Sequence, residues 1–341
     1  MPSLWFAIAS AATALGALAV VRLRKPKHLV DLVRQSCRTT SEELVSLVQI
    51  NPAKLATLKR EILFDFSKPP LWDEFNWHCT PELHGDRLTA RYVFVLDALN
   101  YCFWPESDVS GLEYEHLALG LRQALETKGE RFENLEEITE ARLASWLVAP
   151  HVFPLLETRL EAIRELGRQF KLHGDALEWI AQAQGSAKAL VDLVAIRLSK
   201  FQDEGILNGK RICFYKRAQI LVADVWAAFG QKTTRGVIGA FGDMGDLTIF
   251  ADYRLPQLLR EVGVLQYSCE LAQLVDSKTE LELFSREEVA IRACTVHAVE
   301  LLKQLPGDKL MSVEIDWLLW QRGEQIKHEI HPNHRVRTIY Y

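Results

Sequence analysis

At 341 residues the chain has room for one large domain or two small ones, and its 48% hydrophobic content is enough for a substantial core. A formal net charge of −5 gives no global basic footprint, which argues against binding nucleic acid by overall charge. Six cysteines, at 37, 79, 102, 213, 269 and 294, form no CxxC pair and no zinc-type spacing with histidine, so reduced, mostly buried thiols are expected.

The chain opens with an apolar run, Leu4–Val21 (LWFAIASAATALGALAVV), followed at once by Arg22, Arg24, Lys25 and Lys27. Eighteen uncharged residues lie near the lower limit of roughly 17–25 for a spanning helix. A secretory signal puts its positive charge before the apolar run. Here it comes after, and the positive-inside rule would leave the rest of the chain in the cytosol. Residues 1–27 are therefore read as a membrane anchor, an organelle-targeting leader or an unstructured extension, and residues 28–341 as the working domain.

Helical periodicity dominates residues 28–341. Residues 91–96 (RYVFVL) fit a short strand or a buried helix equally well. Residues 154–172 space Leu155, Leu156, Leu160, Ile163, Leu166 and Phe170 at threes and fours. Residues 175–198 repeat the pattern around Ala176, Leu177, Ile180, Leu190, Leu193 and Val194. Residues 214–229 place Phe214, Leu221, Val222, Val225, Trp226 and Phe229 on one broad face. The glycine-rich, aperiodic 230–245 (GQKTTRGVIGAFGDMG) reads as a loop between helices. Ser285 is placed to cap a helix with Glu288 as capping-box partner, ending at Leu305 before Pro306-Gly307. Ser312 caps a further helix through Trp320, without a capping-box acid. The end, RVRTIYY, carries no floppy tail and is expected to pack. With strand alternation scarce, the predicted fold class is all-α or mainly α, a single helical domain.

Four acids stand among apolar neighbours: Asp97 in VFVLDALNYCFW, Asp224 in ILVADVW, Asp252 in IFADYRLP and Asp316 in VEIDWLLW. A buried carboxylate is costly unless paired or hydrogen-bonded. The plain structural account is a helix cap, or an ion pair with Arg217, Arg254 or Arg292; the functional one is a site. Aromatics crowd these acids: Phe250 and Tyr253 flank Asp252, Trp317 and Trp320 follow Asp316, and Trp72, Phe75 and Trp77 precede His78. Most such rings are core, but an acid beside an aromatic also suits a planar heterocyclic base. A lone histidine near tryptophans is more often structural. Lys216 and Arg217 open a helix, where cations sit awkwardly unless an anion such as phosphate meets them there. No nucleotide-binding loop, nucleophile elbow, HExxH or EF-hand pattern occurs.

Seven strings in order, VFVLDALNYCFW (93–104), FPLLETR (153–159), GKRICFYKRAQILVADVW (209–226), LTIFADYRLPQLL (247–259), EVAIRAC (288–294), EIDWLLW (314–320) and HRVRTIYY (334–341), resemble the queuosine salvage proteins, which are queuosine 5′-phosphate N-glycosylases. The resemblance spans about Val30 to Tyr341. It implies a fold like that of helix-hairpin-helix DNA glycosylases and cleavage of queuosine 5′-phosphate to queuine and ribose 5-phosphate, with the queuine available for tRNA modification. It implies no cofactor, no metal and no direct nucleic-acid partner. It places the catalytic carboxylate on Asp316 and base recognition on His78, Phe250, Asp252 and Trp317. Trp317 stands where Tyr is common, and Gln321 where an acid is often found, so the amine of queuine must meet another residue or bind more weakly. The 5′-phosphate would be held by Lys216, with Arg254 second. The competing readings are a non-catalytic nucleobase- or nucleic-acid-binding module of the same fold, a glycosylase acting on polymer, and a membrane-associated helical scaffold suggested only by Leu4–Val21.

Overall fold

The computed structural model describes residues 28–65, 71–104, 112–147, 153–230, 237–307 and 309–341. Leu4–Val21 lies outside them; among them no helix is long and apolar enough to cross a membrane. The helices are α1 (Leu29–Glu43), α2 (Pro52–Asp65), α3 (Pro81–His84), α4 (Asp86–Leu99), α5 (Tyr114–Lys128), α6 (Glu140–Ala144), α7 (Leu156–His173), α8 (Ala176–Gln182), α9 (Ala187–Arg197), α10 (Lys216–Val225), α11 (Arg254–Glu261), α12 (Cys269–Asp276), α13 (Arg286–Gln304) and α14 (Ser312–Ile326). Four short strands form two antiparallel pairs. β1 (Val48–Ile50) pairs with β4 (Leu265–Tyr267), setting Val48 opposite Tyr267. β2 (Glu204–Leu207) pairs with β3 (Lys210–Cys213) through Asn208-Gly209, both at positive φ, the chemistry a tight hairpin turn requires. The chain is mainly helical, as its periodicity predicts.

Two buried helices organise the packing. α4 is surrounded by α3, α5, α7, α8 and α10, and α13 by α1, α2, α11 and α14. Residues 91–96 resolve as helix within α4, where Tyr92 to Leu99 are all buried. One contiguous core runs from Val30 to Tyr341. Five cysteines are buried and Cys269 is exposed.

Three local expectations are corrected. Residues 175–198 form two helices, broken where Gln184 and Gly185 take positive φ. Ser285 accepts from the Glu288 N–H, but the Glu288 carboxylate does not return; it bonds Arg292 and Tyr341 instead. At α14, Ser312 is the first helical residue, not the cap. Glu314 supplies the acid, accepting from the Met311 N–H at 2.7 Å, and the helix continues past Trp320 to Ile326.

Buried arginines hold the two hubs in place. Arg217 donates to the carbonyls of Asp97 and Ala98, both at 2.9 Å, and Arg159 donates to those of Leu99, Tyr101 and Cys102. Those of Asp97, Ala98 and Leu99 are carbonyls that the end of α4 leaves unsatisfied, and cations suit that pole of the dipole. Arg292, on α13, pairs with Asp203 at 2.6 Å and donates to the Ala251 carbonyl at 2.9 Å. Asp203 also accepts from the Lys216 N–H at 3.2 Å. A protein carboxylate thus meets the backbone at the start of α10, while the Lys216 side chain is left to other partners.

Candidate active site

α10 turns one face toward a cavity. Lys216, Ile220 and Asp224 line it, spaced at fours as a helix face demands, and Ala227 joins them from just past the helix. After Val225 the helix widens into a π-helical turn, Trp226–Gly230. Such turns recur at functional sites. α14 contributes Asp316, Trp317, Trp320, Gln321 and Glu324, and the segment before α3 contributes Trp72, Phe75, Trp77 and His78. The loop before α11 adds Phe250, Asp252 and Tyr253. Glu113 and Tyr114, at the start of α5, close another side. The cleft, with the open solvent at its mouth included, takes in about 1060 Å³.

The loop is fixed from three directions. The Gln219 side chain, on α10, accepts from the Thr248 N–H at 2.9 Å and donates to the Thr248 hydroxyl. Arg292 takes the Ala251 carbonyl, and the Phe250 N–H donates to Oδ1 of Asp316 at 2.9 Å. Oδ1 of Asp252 accepts from the N–H groups of Arg254 and Leu255, at 2.8 and 3.0 Å, capping α11. α11 can lie close to α14 because residue 323 is glycine: a Cβ there would meet the Arg254 side chain at 3.1 Å.

Burial dominates the electrostatics. It raises the carboxyl of Asp316 well above its ordinary range, with the field of Asp252 adding to the rise. It raises Asp252 against the opposing pull of Lys216. Burial and then Asp97 raise Asp224 well above its range, and burial raises Asp97 to about 7. Lys216, 5% exposed, is lowered by burial and pulled back up by Asp252. It is the one lysine or arginine among the described lining residues. His78 is lowered to about 3 by burial and is neutral. Its Nδ1 donates to the Trp72 carbonyl at 3.2 Å, so Nε2 must accept from the Tyr114 hydroxyl at 3.0 Å. Its ring stacks on Trp72 at 3.7 Å.

Asp316, His78, Phe250, Asp252, Trp317, Gln321 and Lys216 thus all reach one cavity. Arg254 does not line it: its guanidinium bonds Glu324 at 2.6 Å and Gln257 at 2.5 Å. Asp97 lies behind the wall, fully buried. The acids do not pair with Arg292, whose partners are Asp203 and Glu288. Sequence reasoning missed Glu113, Tyr114 and Glu324. Lys327 bridges the two glutamates at 2.6 Å each, and Arg254 holds Glu324 from the other side. Trp317 stacks on Trp226 at 5.8 Å and 18°, which fixes one aromatic wall. Among the described residues no group of three or more His, Cys, Asp or Glu side chains is arranged to hold a metal ion.

The model of one protein family, described as queuosine salvage protein, matches residues 79–341. Its match begins one residue beyond His78. A queuosine 5′-phosphate N-glycosylase/hydrolase of Dictyostelium discoideum is 41% identical over 261 residues, covering 74% of this chain and 78% of its own. Proteins of the same description from Sphaerobacter thermophilus and Mus musculus are 38% and 31% identical, covering 80% and 79% of this chain and 86% and 88% of their own. With its residues from Cys79 to Tyr341 inside that match, the chain belongs to the queuosine salvage protein family.

Proposed function

We propose that the chain hydrolyses the N-glycosidic bond of queuosine 5′-phosphate, freeing queuine for tRNA modification. The observation that carries this reading is Asp316. It is buried at the base of an aromatic-walled cavity, with one carboxylate oxygen fixed by the Phe250 N–H and the other free of protein hydrogen bonds among the described residues. Glycosidic cleavage develops positive charge on the sugar. A fixed carboxylate stabilises that charge, directs a water or forms an adduct. Phe250 and Trp317 pack on the faces of the base, and Asp252 and His78 meet its edge. Lys216 meets the 5′-phosphate. Beside Gln321, Glu113 and Glu324 offer carboxylates to the amine of the queuine arm. The helical architecture is read as one like that of helix-hairpin-helix DNA glycosylases, and residues 1–27 as an anchor or leader outside the chemistry.

The test is mass-spectrometric detection of free queuine after incubating the full chain with queuosine 5′-phosphate. Release is expected. No release from folded protein would favour a binding module of the same fold.

A further inference from the structure

The four buried acids divide by the hydrogen bonds they receive. Asp316 accepts one backbone N–H and Asp252 two, and donors aimed at a carboxylate favour its ionised form. Asp224 accepts none among the described residues, although it is 7% exposed and lines the cavity. Asp97, behind it on α4, accepts only from the Asn100 amide at 3.2 Å, and its Oδ2 is buried without a partner. Arg217 is close to Asp97 but gives its Nη1 and Nη2 groups to backbone carbonyls, and its Nε has no hydrogen-bond partner among the described residues. Of the acids that line the cavity, Asp224 is thus the one at which, among the described residues, no hydrogen-bond donor competes with a proton. Carboxylates that accept backbone N–H groups and one that accepts none differ in how readily they ionise within a single cavity.

The departing base creates the demand. A 7-deazaguanine has carbon where guanine has N7, so the usual protonation site is missing and a proton must reach the base at another atom. We propose that Asp224, backed by Asp97, is the proton donor to the departing base, opposite in role to Asp316. This assignment rests on the glycosidase reading above. The C1′–N bond breaks with its electron pair passing to the base. The proton leaves the Asp224 carboxyl for an oxygen or nitrogen of the base, which departs as a neutral heterocycle. A water oxygen bonds C1′, and its proton is taken by a carboxylate of the site. Exchange with solvent then returns a proton to Asp224.

The charged and titratable groups facing Asp224 are Asp97 and Tyr92 from α4, Tyr114 from α5, Lys216 on its own helix and Asp316 from α14. The phenols stay protonated, because burial holds both well above their ordinary range. Rate should fall as pH rises through the donor's titration.

The experiment measures kcat and KM from pH 5 to 9 for wild type, Asp224→Asn and Asp224→Glu. Asp224→Asn should lose about 10²-fold or more in kcat and lose the alkaline limb, while Asp224→Glu recovers part of the rate. Retention of over a tenth of kcat, or of the wild-type alkaline limb, overturns the assignment. So does a loss confined to KM. Should Asp224→Asn not fold, Asp97→Asn decides: removing the neighbouring charge should move the alkaline limb down by roughly one pH unit, and a limb unmoved or missing overturns the assignment. Absence of queuine release by folded wild type would instead sink the underlying activity.

Discussion

The N–H of Phe250 donates to Oδ1 of Asp316 at 2.9 Å, so the ring that walls the cavity and the carboxylate at its base are set by one hydrogen bond. The loop carrying Phe250 is itself held by Gln219 on α10 and Arg292 on α13. Asp316 is thereby registered against both halves of the core.

Asp316→Asn keeps an acceptor for that N–H and removes the charge. Its kcat should fall by about 10³-fold or more, while queuine affinity stays within roughly fivefold of wild type. Mass spectrometry of released queuine and calorimetric titration check the two halves. Near-full turnover would move the central role to Asp252.

Lys216→Ala should lower kcat/KM for queuosine 5′-phosphate by roughly 10- to 100-fold, as for a hydrogen bond to a charged group. The unphosphorylated nucleoside should be much less affected. Equal losses on both substrates would remove Lys216 from phosphate recognition.

Arg292→Met should destabilise the fold by about 3–5 kcal/mol, because Asp203 and Glu288 would remain buried without their cation. Urea unfolding measures this. A midpoint unchanged from wild type would show that these carboxylates protonate at no cost.

Asp97 carries a pH-dependent penalty. Its folded-state carboxyl is raised to about 7 by burial, so between the ordinary carboxylate range and pH 7 the fold binds more protons than the unfolded chain. Wild-type stability from this residue is present at low pH and is lost as pH rises through that window. Asp97→Asn should therefore be more stable than wild type at pH 8, by on the order of 1–3 kcal/mol, and converge with it near pH 4. Denaturant midpoints at the two pH values decide it; a constant gap would mean that Asp97 does not titrate there.

Much of this was legible in the chain. Threes-and-fours spacing located α7, α10 and α13, and the cost of acids among apolar residues singled out Asp97, Asp224, Asp252 and Asp316 together. Which of them accept backbone N–H groups was legible only in part: Asp252 takes those of Arg254 and Leu255 just after it, but Asp316 takes that of Phe250, 66 positions away. Asp203 carries no local signal: it sits in an ordinary FQDEG stretch and matters because Arg292, 89 positions away, and the Lys216 N–H reach it. Glu113 and Tyr114 open a helix of ordinary amphipathic pattern. Arg254 shows the opposite error, where a cation beside a site acid turns to Glu324 and Gln257.

The π-helical turn at Trp226–Gly230 has a consequence for how the chain can change length. It holds one more residue than an α-turn over the same path, and each residue in a helix advances the chain by about 100°. Its last residue, Gly230, meets Gly239 so closely that a Cβ on Gly230 would lie 2.1 Å from the Gly239 carbonyl oxygen. Deleting a single residue from the turn would close it to α geometry, swing Gly230 off that contact and draw Trp226 from Trp317. Surface loops ordinarily absorb insertions and deletions freely. A one-codon deletion within this turn should instead be as damaging as loss of a wall residue.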